Sequence, residues 1–242
     1  MKRIISIILV VLLVATCAVL LVACGGIGSA DEWAQAMDAY KNAATVTLKI
    51  EDNHKMMNQL ANKERVISTA EIAFDSEKGV VRVSMDYVRR NFWESDVGSG
   101  AYEIYYVLDG ANVISYKKNL KTLQWDEPLT ITLNGSEAAE AYLRERYLKP
   151  VDSDEGEFPT FTNLKFEDFK AKLFGKYERK YTDSRFNYTY TLNFSNGKPS
   201  KFTYQHKTSN GSVDDSRKFS MTIEYSASIT LPDDLPGTST VQ

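Results

Sequence analysis

NYTYTLNFSNGKPSKFTYQH, residues 187–206, alternates large apolar and small polar side chains around a single turn signal. Successive residues of an extended chain point to opposite faces. Tyr188, Tyr190, Leu192 and Phe194 therefore share one face, and Asn187, Thr189, Thr191 and Asn193 share the other. Asn196-Gly197 accepts positive φ and suits a tight hairpin. Phe202, Tyr204 and His206 then resume the alternation. One apolar and one solvated face is the signature of antiparallel sheet.

The same period recurs outward from this hairpin. Val46, Leu48 and Ile50 alternate with polar neighbours, as do Val81, Val83, Met85 and Tyr87. Asp109-Gly110 joins the runs 101–108 and 111–117, and Lys78-Gly79 joins 65–75 to 80–88 by a longer turn. Phe219 to Ile229 reads as one further alternating strand. Three stretches switch to helical spacing. Ser29-Ala30-Asp31-Glu32 is a capping box, followed by Trp33, Met37 and Tyr40 on one stripe over 30–42. A second helix starts at Asn134-Gly135-Ser136-Glu137, carries Ala139, Leu143 and Tyr147 inward, and stops before Pro150. A third, short helix is expected from Phe166, Phe169 and Leu173, ended by Gly175. Residues 151–160 read as an exposed acidic loop, and residues 236–242 as a frayed tail.

The first 23 residues, MKRIISIILVVLLVATCAVLLVA, combine a basic start with a long apolar run. That is the pattern of a secretory signal, though the run is nearly long enough to span a bilayer. Leu21-Val22-Ala23-Cys24 resembles the lipobox of bacterial lipoproteins. The resemblance implies cleavage between Ala23 and Cys24 and a diacylglyceryl thioether on Cys24. Cys17 is a poorer candidate, since Thr16 precedes it and apolar sequence follows. Residues 24–29 then read as a lipidated tether, flexible at its glycines. The expected location is the outer, extracytoplasmic face of the cell membrane, held there by lipid. Two acyl chains anchor stably where one does not.

Composition limits what the rest can do. The leader holds Lys2 and Arg3 and no acid, so its loss takes 29 basic and 32 acidic residues to 27 and 32, a net charge of −5. A nucleic-acid binder needs a basic footprint, so no nucleic-acid partner is expected. Both cysteines lie at or before the cleavage site, which leaves the mature domain no disulfide and no thiol nucleophile.

One helix, a block of strands, a helical interruption and a second block of strands resembles the order of the LolA/LppX-like lipoproteins. Ile229-Thr230-Leu231-Pro232 also resembles a strand ending of Gram-positive members. The resemblance covers about residues 30–235 and rests on order and pattern. It implies an α+β domain: a curved antiparallel β-sheet, or half-barrel, of about nine to eleven strands with about three helices on its concave side. It also implies a lipid or other apolar ligand in the cavity. Gly25 after Cys24, with no Asp there, fits a Gram-positive cell.

Candidate cavity or gate residues are Phe92, Trp93, Tyr102, Tyr106, Tyr188 and Tyr190. Phe92 and Trp93 belong to a loop through Gly98 and Gly100, where they gate a cavity, touch the membrane, meet a partner or simply pack beneath the loop. The tyrosines line a hollow barrel or fill a solid one; alternation alone is the same for both. His54 and His206 are the only histidines, too few and too far apart for a zinc site. The carboxylates at Asp152, Asp154, Glu155 and Glu157 only faintly echo a calcium loop. No nucleophile motif or phosphate loop is present, so no catalytic residue, metal or cofactor is assigned and the chain does not read as an enzyme. The competing expectation is an envelope protein-interaction module with a solid core and no ligand.

Overall fold

The computed structural model describes residues 27–53, 56–59, 62–90, 95–148, 164–172, 175–182, 186–208 and 218–236. The leader with Ala23 and Cys24, His54, Phe92 and Trp93, the acidic loop 151–160, Leu173 and residues 237–242 lie outside them.

Helix α1 spans Ala30–Lys41. Its start is built as a cap: Ser29 Oγ accepts from the Glu32 N–H at 3.2 Å, and Glu32 Oε2 accepts from the Gly28 N–H at 2.5 Å. The return bond thus reaches one residue further than in a simple capping box. Strands β1 (Thr45–Asp52), β2 (Met56–Gln59), β3 (Asn62–Asp75), β4 (Val80–Arg90), β5 (Asp96–Asp109), β6 (Asn112–Asn119), β7 (Gln124–Trp125) and β8 (Leu129–Thr132) follow. Helix α2 spans Ser136–Tyr147, with Arg144 and Arg146 in its last turn, where the helix dipole favours cations. A second group contains β9 (Lys170–Ala171), β10 (Lys176–Thr182), β11 (Phe186–Ser195), β12 (Lys198–Thr208) and β13 (Lys218–Glu224).

All thirteen described strands belong to one sheet, ordered β7-β6-β5-β4-β3-β1-β13-β12-β11-β10-β9, with β2 added on β3 and β8 on β6. The two groups are joined at the centre by β1 and β13, which pair antiparallel from Thr47 opposite Glu224 to Asp52 opposite Phe219. Hairpins carry the remaining order. At the β11–β12 turn Asn196 and Gly197 have φ of 51° and 69°, the positive values a two-residue hairpin loop demands.

Three expectations need correction. The strand count exceeds the expected nine to eleven because β2, β7, β8 and β9 have only two to four residues, too few to show a period. Among the described residues the helix count is two. The expected third helix is a single 3-10 turn, Phe166–Asp168, and Phe169 behind it is extended at φ −109° and ψ 145°. Phe166 and Phe169 both pack on Trp33, and the chain runs straight into β9. The last strand ends at Glu224, not near Ile229.

The sheet buries one face against both helices. Trp33, Met37 and Tyr40 of α1 and Ala139, Leu143 and Tyr147 of α2 join one core with Val46, Leu48, Phe74, Val81, Leu192, Phe202 and Met221. The helices also hold each other. Tyr40 Oη donates to the Leu148 carbonyl at 2.7 Å, and Arg144 Nη1 donates to the carbonyls of Lys41 (3.2 Å) and Ala43 (2.9 Å). Those carbonyls belong to the end of α1, where helical partners run out.

The opposite, outer face is crossed by a strap, residues 225–236. Thr47 Oγ1 donates to the Ser226 carbonyl, Lys78 Nζ to the Ile229 carbonyl, and Trp125 Nε1 to Asp234 at 3.0 Å. Ile229 and Leu235 are buried against Ala73, Val80, Tyr105 and Tyr116. The stretch up to residue 236 is therefore pinned from the sheet centre to β7.

Candidate functional site

Pairing fixes which side chains share the inner face. Ala70 lies opposite Met85 and Met85 opposite Tyr102; Phe74 lies opposite Val81 and Val81 opposite Tyr106. Across the centre, Phe219 pairs with Tyr204, Tyr204 with Tyr190, and Tyr188 with the register position of His206. Tyr102, Tyr106, Tyr188 and Tyr190 thus stand on the face that carries the helices.

The two halves of that face differ. On β11, β12 and β13, Tyr188, Tyr190, Leu192, Phe202, Tyr204, Phe219 and Met221 are all buried. Tyr190 stands 5.1 Å from Tyr204, and Trp33 seals the far edge against Phe194 (5.0 Å), Phe169 (5.2 Å) and Tyr177 (5.5 Å). On β4 and β5, by contrast, Met85, Tyr87, Tyr102, Ile104, Tyr106 and Leu108 are only partly buried. Helix α2 reaches the upper part of this wall, where Tyr147 meets the Tyr106 ring at 4.8 Å. Below it Tyr102 Oη donates to Met85 Sδ at 2.9 Å, and the Tyr87 ring stands edge-on at 6.4 Å. Burial holds the Tyr102 hydroxyl above its ordinary pKa, and the neighbouring Tyr106 and Tyr87 add to the rise. Tyr147 is raised further, by burial first and then by its hydrogen bond with Tyr106. The Tyr102 and Tyr147 hydroxyls therefore stay neutral at physiological pH.

The lower margin was not foreseen. Arg89 pairs with Gly98 and Tyr87 with Gly100. A Cβ at Gly98 would stand 2.6 Å from the Arg89 guanidinium, and one at Gly100 would stand 2.6 Å from the Tyr87 ring. The two glycines let those long side chains lie flat across β5. The expected flexible loop through Gly98 and Gly100 is therefore strand, since β5 begins at Asp96. The available signal was the spacing itself: glycines at i and i+2 clear one face of a strand.

Two other depressions are visible. One, of about 610 Å³, lies on the outer face among Lys49, Glu51, Glu71, Asp86, Lys201 and Ser220. The other, of about 480 Å³, runs between α1 and residues 164–167 along Trp33, Met37 and Phe166. Neither collects a catalytic constellation, and among the described residues no group of three or more His, Cys, Asp or Glu is placed to hold a metal ion. No described helix is long and apolar enough to cross a membrane. No model of a known protein family matches the chain, and no curated protein sequence does.

Proposed function

We propose that this chain is a lipoprotein held on the outer face of the cell membrane by lipid on Cys24, with a LolA/LppX-like half-barrel that takes a lipid or other apolar ligand on its inner face. The observation that carries the reading is the half-covered wall of Met85, Tyr102, Ile104, Tyr106 and Leu108. Apolar and aromatic side chains left partly open beside a sealed core are what an apolar ligand would cover.

Curvature of the sheet is supported by width. Buried inner-face residues run from Val113 on β6 to Tyr177 on β10, a path of nine strands. Laid flat at strand spacing, that path would be about 38 Å wide. Two helices of about 10–12 Å diameter cannot cover it. A sheet curled around them can.

The competing reading, an interaction module with a solid core, draws on the closed packing of β11–β13. Native mass spectrometry of residues 25–242, purified from cells without detergent, separates the two. A reproducible added mass that extracts into organic solvent supports the ligand reading. A bare mass that stays bare after incubation with membrane lipids moves the function to the module. The anchor has its own test: Cys24→Ser should block lipid labelling and processing, and a variant that is still cut after Ala23 and keeps the same membrane attachment would remove that part of the proposal.

A further inference from the structure

Charge on the outer face is divided between the halves of the sheet. On β1, β3, β4 and β5 the outward positions include Glu51, Glu71, Asp86 and Glu103, answered in part by Lys49 and Arg82. Among the side chains that the structure describes on β9, β10 and β12, and just past β9, the outward charges are Lys170, Lys172, Lys176, Lys180 and Lys201, against the single acid Glu178. Between them β11 presents Asn187, Thr189, Thr191 and Asn193, with no charge. Glu178 is shared by Lys172 at 3.6 Å and Lys180 at 3.5 Å. Lys170, Lys176 and Lys201 have no ion partner among the described residues. A chain with an acidic total thus gathers an unbalanced basic surface on one end of its sheet.

The start of the domain lies at that same end of the sheet, on its inner side. Ile27 is buried, its N–H donates to Tyr177 Oη at 2.6 Å, and its carbonyl accepts from the same hydroxyl. Tyr177 belongs to β10. The expected tether of residues 24–29 is therefore pinned from Ile27 onward. Only Gly25 and Gly26 separate Cys24 from the pin. Three chain steps reach at most about 11 Å. Asp31 and Glu32, which follow in the chain, sit in the first turn of α1, where they answer the helix's own amide groups.

We propose that the outer face of β9–β12 lies against anionic lipid headgroups of the membrane that carries the anchor. The inference rests on lipidation of Cys24 and adds an orientation to it. Two acyl chains already hold the protein. The lysines decide which side faces the bilayer, because each lysine near an anionic surface favours contact about fivefold, and only within about a Debye length of it.

The test is lysine footprinting on the mature, lipidated protein. It is reconstituted into phosphatidylcholine vesicles and into vesicles rich in phosphatidylglycerol, and acetylation is followed by mass spectrometry. Lys170, Lys172, Lys176, Lys180 and Lys201 are expected to react at least about threefold more slowly on the anionic vesicles, with the difference erased at high salt. Lys49, Lys78 and Lys118 should react alike on both. In the Lys170→Glu/Lys176→Glu variant, protection of Lys180 and Lys201 should fall while flotation with both vesicle types persists. Flotation on both vesicles with equal rates at the five lysines overturns the docking face alone. Failure to float with phosphatidylcholine removes the anchor, and this proposal with it.

Discussion

At the scale of single residues, the two glycine pairs make a graded prediction. Gly100→Ala sets a Cβ against the rigid Tyr87 ring, while Gly98→Ala meets only the movable end of Arg89. Gly100→Ala should cost about 1–3 kcal/mol in urea unfolding, and Gly98→Ala clearly less. Equal costs would mean that Tyr87 does not lie across β5. Tyrosine ionisation gives a second prediction. Burial raises the folded pKa of Tyr40, Tyr147 and Tyr225 above that of the unfolded chain. A raised folded value means the folded state keeps protons that the unfolded state releases. Stability from these groups is intact below about pH 10 and falls as pH climbs above it. Tyrosinate absorbance should therefore rise in two steps, exposed phenols first and the buried ones together with unfolding. A single smooth rise without loss of the near-UV dichroism would contradict this. Tyr102 and Tyr106 were legible as inner-face residues because strand parity fixes the face. Their difference from Tyr188 and Tyr190 was not, because it depends on where α1 and α2 come to rest.

At the scale of elements, the strap is the part least visible in the sequence. Ala227 and Ile229 continue the alternation of β13, yet the chain has left the sheet by Tyr225. A segment crossing an apolar outer patch needs an inward residue at every second position, just as a strand does, so the period is the same. The supposed third helix failed for a related reason. Phe166 and Phe169 are three apart, as on a helix, but one aromatic cage around Trp33 collects both, Phe166 from a single 3-10 turn and Phe169 from the extended chain behind it. Ile229→Ala should cost about 2–4 kcal/mol by opening the small cluster under the strap. The far end is polar: hydrogen bonds from Trp125 and Lys118 hold the Asp234 carboxyl below its usual pKa. A lowered folded value gives a contribution present at neutral pH and lost as pH falls through that value. Trp125 emission should shift in acid before the sheet unfolds. Asp234→Asn should remove that shift, and an unchanged acid response in the variant would place its origin elsewhere. The long strands β1, β4, β11, β12 and β13 showed their period in the sequence, whereas β10, the start of β5 and the pieces of two to four residues did not.

For the whole molecule, the pairing of β1 with β13 has a consequence in time. Thr45–Asp52 is the first strand of the fold and Lys218–Glu224 the last, and they meet at the centre of the sheet. Local hairpins can close as the chain emerges, but this contact must bridge nearly the whole length, and such closures come late. Until residue 224 is out, neither half has its central neighbour, and the core under α1 lacks Phe219, Met221 and Ile223. A protein threaded through a narrow export channel has to stay unfolded until its end has passed. On the proposed export route the order of the strands would itself provide that delay: the last piece through would be the keystone that lets the two sides lock.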